Sequence, residues 1–103
     1  MRIYFAPLEG ITGYIYRQAH AKFYGDIDKY FAPFISPADK YTLGSKELRE
    51  LSPENNSGFY LVPQILTCKS NHFNNAAHEL QKLGYSEINL NLGCPSGTVC
   101  AKK

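Results

Sequence analysis

Near its carboxyl end the chain runs Ile88-Asn89-Leu90-Asn91-Leu92-Gly93-Cys94-Pro95-Ser96, a strand leading into a tight loop that carries a thiol. Ile88, Leu90 and Leu92 alternate with Asn89 and Asn91, so one side of the strand is aliphatic and the other bears two amides. Such amides need hydrogen-bond partners, because an unpaired buried amide is costly. Gly93 and Pro95 fix the backbone on either side of Cys94. The segment reads as the edge of an active site. A strand end with a buried, inert cysteine fits the same residues.

The elements that would position these groups alternate between two periods. Arg2 to Pro7 predicts a short strand. Thr12 predicts an N-cap for a helix to about Tyr24, with Ile15, Ala19 and Phe23 on one stripe and Gly25 as its stop. Asp28 to Ser36 predicts a second strand, Ser45 to Leu51 a weaker helix, and Ser52 to Gly58 a loop. Phe59 to Leu66 is the third strand. Ser70 caps the clearest helix, in which Phe73, Ala76, Ala77, Leu80 and Leu83 share a face and Gly84 ends it. Glu87 to Leu92 is the fourth strand. The order βαβαβαβ, with crossovers of this length, predicts an α/β fold on a parallel sheet.

Three of the four strands carry a proline near one end: Ala6-Pro7-Leu8-Glu9-Gly10, Val62-Pro63-Gln64 and Gly93-Cys94-Pro95. A proline in a central strand interrupts the ladder, so each is expected at a strand's carboxyl end. In α/β sheets and barrels that is the end where sites are built. Each proline alone is explained as a strand terminator. Glu9, Gln64, Asn91 and Cys94 beside them form the candidate site.

Composition narrows the class. At 103 residues and 44% apolar content, the chain is sized for one small domain. A net charge of +2 does not diagnose nucleic-acid binding, and a local basic face remains compatible with an RNA substrate. No apolar run approaches the length of a membrane span, about 18 residues, and the amino terminus is too short in apolar residues for a signal peptide. Three cysteines without CxxC spacing argue for reduced thiols in the cytoplasm, against a disulfide framework and against a zinc site. His20, His72 and His78 are expected as surface residues with no metal implied. Cys68 is expected as an inert buried thiol, Cys100 as part of a loop, and Lys102 and Lys103 as a solvated chain end.

These segments resemble the tRNA-dihydrouridine synthases. Ala6-Pro7-Leu8-Glu9-Gly10-Ile11-Thr12 is similar to that family's opening "APMxGxT". Tyr30-Phe31-Ala32-Pro33-Phe34-Ile35 resembles its second strand and Pro63-Gln64-Ile65 its third. Asn89-Leu90-Asn91-Leu92-Gly93-Cys94-Pro95-Ser96 resembles its "DLNxGCP" signature. Leu8 stands where Met is usual and Asn89 where Asp is common; Leu for Met preserves an apolar side chain of similar size.

The resemblance implies the amino-terminal half, about four βα units, of a (β/α)8 TIM barrel that binds FMN. It implies NADPH as reductant, and hydride transfer from the flavin to C6 of a uracil in tRNA. By the same resemblance Cys94 donates the proton to C5, and Asn91 holds the base. Pro7, Leu8 and Glu9 contact the flavin, and Gln64 bonds the isoalloxazine edge. A full barrel needs roughly 250 residues, so residues 1–103 are expected to be an incomplete catalytic domain. The rest of the barrel, the flavin phosphate loops and a helical tRNA-binding domain would be absent, and the fragment alone inactive. Two other readings are another FMN barrel acting on a small pyrimidine, and a non-catalytic half-barrel that covers its edges by self-assembly.

Overall fold

The computed structural model describes residues 1–92. Cys94 and its neighbours Gly93 and Pro95, together with Cys100, Lys102 and Lys103, lie outside the described residues. Strands and helices alternate: β1 (Tyr4–Phe5), α1 (Tyr14–Phe23), β2 (Lys29–Phe31), α2 (Ser45–Leu51), β3 (Leu61–Val62), β4 (Gln64–Leu66), α3 (Ser70–Lys82) and β5 (Asn89–Asn91). A 3-10 turn, Pro53–Asn56, follows α2.

All described strand pairings are parallel and sequential. Tyr4 pairs with Lys29 and Phe5 with Tyr30; Tyr30 pairs with Leu61 and Phe31 with Val62. Gln64, Ile65 and Leu66 then pair with Asn89, Leu90 and Asn91. A bridge between Ile35 and Ile65 ties the segment after β2 to β4.

The expected third strand is therefore split at Pro63, which sits inside it rather than at its carboxyl end. In a strand, successive N–H groups point to opposite neighbours. The Pro63 carbonyl accepts from the Asn89 amide at 2.9 Å, so the N–H that proline lacks would also have pointed toward β5. Only one rung is lost. Pairing with β2 stops at Val62, and pairing with β5 starts at Gln64.

All three helices cover one face of these strands. Ala76 and Leu80 of α3, Leu51 of α2 and the strand residues Tyr30, Ala32, Leu61 and Ile65 form the buried core, with Ala21 of α1 packed against it. The i, i+3, i+4 spacing of Phe73, Ala76, Ala77, Leu80 and Leu83 gives α3 its buried stripe, as the sequence indicates. Gly84 ends it at φ +102°, a left-handed conformation that Gly adopts freely, and the Tyr85 amide closes back on the Leu80 carbonyl. A mixed α/β layout with sequential parallel strands and helices on one face is compatible with part of a (β/α)8 barrel. Among the described residues no helix is long and apolar enough to cross a membrane.

Four local expectations need correction. Thr12 does not cap α1; Gly13 holds that position, and the Thr12 hydroxyl is bound elsewhere. The Ile15, Ala19 and Phe23 stripe is exposed, with Ile15 at 68% and Phe23 at 73%; the residue that α1 buries is Arg17. His72 is buried and bonds Asp39 through Nε2 at 2.7 Å, and His20 is half-buried with Nδ1 2.7 Å from the Tyr30 hydroxyl. A short-range helix pattern cannot see these partners, which come from strand and loop residues. Cys68, expected to be buried, is exposed.

Candidate functional site

Side chains alternate across a strand, so the face opposite the helices can be read residue by residue. The rings of Phe5 and Tyr30 pack against His20 of α1 on the helical side, the first tilted and the second edge to face. Tyr4, Lys29 and Phe31 therefore point to the open side, where the Tyr4 and Phe31 rings meet edge to face at 5.9 Å. Tyr60 and Gln64 lie on that face, as do Glu87, Asn89 and Asn91.

At the amino-terminal end of this open face, Lys29 Nζ donates to Glu87 Oε2 at 2.6 Å, and the Tyr60 hydroxyl donates to Glu87 Oε1 at 2.8 Å. The hydrogen bond from Lys29, reinforced by Tyr60, holds the Glu87 carboxyl below its usual range; the same bond raises Lys29. Lys29 also lies over the rings of Tyr4 and Tyr60, at 5.3 and 5.8 Å. This end is a closed set of partners.

The carboxyl-terminal end differs. Gln64 Nε2 donates to Asn89 Oδ1 at 2.7 Å, and Asn91 Nδ2 approaches Gln64 Oε1 at 3.5 Å. The β4–β5 register puts the three amides side by side. An amide has two donor hydrogens and an oxygen with two lone pairs. Asn89 thus fixes the Gln64 head group while using only one of its hydrogens. Asn89 stands where the family commonly has Asp, and its place opposite Gln64 in the register makes it part of this cluster.

Pro7, Leu8 and Glu9 follow β1 and lie at the same end of the sheet. They are two strands from Gln64, about 10 Å across the sheet by ordinary strand spacing. The turn is tight: the amides of Ile11 and Thr12 both donate to the Leu8 carbonyl, at 3.0 and 2.9 Å, and Gly10 adopts φ +79° with open space around it. The Leu8 side chain projects outward and is 59% exposed. Glu9 instead lines a groove of about 850 Å³ between this loop, the segment after β2 and α2, with Ile11, Tyr14, Phe34, Lys46 and Glu50. Neither Gln64 nor Asn91 borders that groove. The structure therefore brings Gln64, Asn89 and Asn91 together and leaves Leu8 and Glu9 on separate walls at the same sheet end.

Sequence reading missed Thr12 and Arg17 as parts of this end of the molecule. Thr12 is 1% and Arg17 0% exposed. Arg17 Nη1 donates to the Thr12 carbonyl at 2.8 Å and Nη2 to the Glu50 carbonyl at 2.6 Å; Nε and Nη2 both reach Asn56 Oδ1. Burial pulls the guanidinium below its ordinary value and the nearby Glu50 carboxylate opposes that; an arginine starts so high that it stays charged. The available signal was an arginine one turn beyond a Thr-Gly pair. Among the described residues no group of three or more His, Cys, Asp or Glu side chains is arranged to hold a metal ion.

Residues 4–103 match the family model described as "Dihydrouridine synthase (Dus)". No curated protein matches the chain. The match takes in the loop after β1, the Pro63-Gln64 break and the amide-bearing β5 within one alignment, and by it the chain belongs to the dihydrouridine synthase family.

Proposed function

We propose that residues 1–103 are the amino-terminal part, about four βα units, of a (β/α)8 catalytic barrel. The complete protein would reduce uridine in tRNA to 5,6-dihydrouridine, with FMN as cofactor and NADPH as reductant, in the cytoplasm. The observation that carries the reading is the family match over residues 4–103. The polar character of the open sheet face supports it.

The residues at the carboxyl end of the sheet suit a flat, amphipathic ring. Gln64 keeps one N–H and acceptor capacity beyond its bonds to Asn89 and Asn91, which matches a flavin edge that both donates and accepts. Leu8 offers an exposed apolar surface on a rigid turn, preceded by Pro7. Bound FMN would carry the hydride between NADPH and C6 of the uracil. On the protein side, Asn91 holds the uracil and Cys94 gives a proton to C5, which a thiol of near-neutral pKa can do. Pro7, Leu8 and Glu9 wall the flavin from the β1 loop. The target base has to leave its stack to reach such a site, so extrusion into a pocket is part of the reading.

The two half-reactions of the full-length protein test it. Cys94→Ala should still take up FMN and accept electrons from NADPH. Its flavin should be reoxidised by tRNA about 10²–10⁴-fold more slowly, the usual worth of a positioned acid. Gln64→Leu should lower FMN retention or slow reduction by NADPH. Dihydrouridine formation at the wild-type rate by Cys94→Ala would remove Cys94 from the chemistry; unaltered flavin content and reduction kinetics in Gln64→Leu would remove Gln64.

A further inference from the structure

The backbone of Leu8 is held by a buried side chain while its own side chain is held out. Thr12 Oγ1 accepts from the Leu8 amide at 2.8 Å and donates to the Leu8 carbonyl at 3.1 Å. One buried hydroxyl thus grips both polar groups of one residue. The Thr12 carbonyl is in turn fixed by Arg17 Nη1 at 2.8 Å. Arg17 is anchored from the other side by the Glu50 carbonyl at the end of α2 and by Asn56 of the 3-10 turn. Asn56 is itself tied to the Glu50 and Ser52 carbonyls, at 3.0 and 2.8 Å. The chain of contacts runs from the connection after α2, through α1, to a loop at the carboxyl end of β1.

Burying a fully satisfied arginine is not the cheapest way to fasten a turn. Apolar packing of equal volume often serves stability as well or better. What polar groups add is directional control: each donor fixes the place of one acceptor. Here the controlled element is a turn that exposes two large apolar side chains, Leu8 at 59% and Ile11 at 60%, and the grip falls on the backbone of Leu8. From this we infer that Thr12, backed by Arg17, is a positioning residue that presents Leu8 and the adjoining backbone to the bound flavin. The inference rests on the FMN reading above.

The test uses the full-length protein and the near-isosteric pair Thr12→Val and Thr12→Ser, with two readouts. Amide hydrogen exchange at Leu8 reports the grip directly and needs no flavin; Val should speed it while α3 amides keep their wild-type protection, and Ser should restore it. The FMN dissociation constant, followed by flavin fluorescence, should rise roughly tenfold in Val, the scale of losing one buried hydroxyl's bonds, and return toward wild type in Ser. Arg17→Lys, which keeps the charge but loses the fork, should weaken FMN in the same direction, and it decides the matter if the Val variant does not fold. Faster exchange in Val with an unchanged FMN constant and flavin spectrum would make the grip structural only and overturn the proposal, as would unchanged exchange. Failure of the wild-type protein to take up FMN would overturn the underlying reading, and is seen separately from the exchange result.

Discussion

Replacing Arg17 with methionine preserves a long side chain and deletes a guanidinium that is 0% exposed. Its donors serve three acceptors: the Thr12 carbonyl, the Glu50 carbonyl and Asn56 Oδ1. The Glu50 carbonyl keeps a second donor, Asn56 Nδ2 at 3.0 Å. The Thr12 carbonyl and Asn56 Oδ1 are the acceptors that lose a buried donor. Each orphaned buried acceptor costs about 1–3 kcal/mol, so the variant should lose about 2–6 kcal/mol. The Glu50 carboxylate adds little to that sum. It lies 3.7 Å from Arg17 and its side chain is 30% exposed, and partly solvated pairs contribute weakly. Urea unfolding followed by circular dichroism should show a lower midpoint with an unchanged slope. Asn56→Ala should cost a comparable amount, because it leaves Arg17 Nε without its partner. The double variant should fall short of the sum by about 1 kcal/mol or more, since both changes break the same bonds. A midpoint equal to wild type, or strict additivity, would refute the account of Arg17 as the centre of one network.

Leu80 is fully buried in the core under α3, so Leu80→Ala should cost about 2–5 kcal/mol in the same assay; a loss well under 1 kcal/mol would mean that the face assignment of α3 is wrong. The Lys29–Glu87 pair predicts a pH dependence whose sign follows from the two shifts. Glu87 is depressed by Lys29 and Tyr60, so its contribution is present above the unfolded carboxylate pKa and is lost as pH falls through the lower folded value. Lys29 is raised by Glu87, so its contribution is present below the unfolded amine pKa and is lost as pH rises through the higher folded value. The stability difference between wild type and Glu87→Gln should therefore be largest between the carboxylate and amine ranges, shrink in acid and in strong base, and diminish with added salt because the pair is partly open to solvent. A difference independent of pH and salt would contradict the ion-pair assignment.

Which features were readable in the sequence depends on whether the partner is local. α2 and α3 follow from spacing and stop signals within a dozen residues, although Ser70 opens α3 rather than capping it, the N-cap position being held by Lys69. The parallel, sequential strand order follows from crossover length. α1 fails the same treatment for a specific reason. Ile15 and Arg17 are two residues apart, about 200° around a helix, so burying one turns the other outward. Apolar spacing favours Ile15. The structure favours Arg17, because Glu50 and Asn56, more than thirty residues away, supply what its guanidinium needs. His72 was misplaced in the same way by Asp39, a residue of the segment after β2.

The amide cluster shows the limit from the other side. Sequence alternation marked Asn89 and Asn91 as sharing a face, and the proline pattern marked Gln64 independently, but neither observation joins them. What joins them is register: Gln64 opposite Asn89 and Leu66 opposite Asn91. A slip of one residue would set Gln64 against Ile88 or Leu90 and turn the amides to the wrong face. Pro63 bears on that register: its carbonyl accepts the first bond of the β4–β5 ladder, from the Asn89 amide, and it has no N–H with which to extend that ladder further back. The residue that looked like a strand terminator is thus placed to define where pairing with β5 starts. It separates the closed Lys29–Glu87–Tyr60 set at one end of the open face from the Gln64–Asn89–Asn91 amides at the other. The boundary on this face between an ion-paired end and an amide-bearing end falls at a proline that a propensity reading treats only as an interruption.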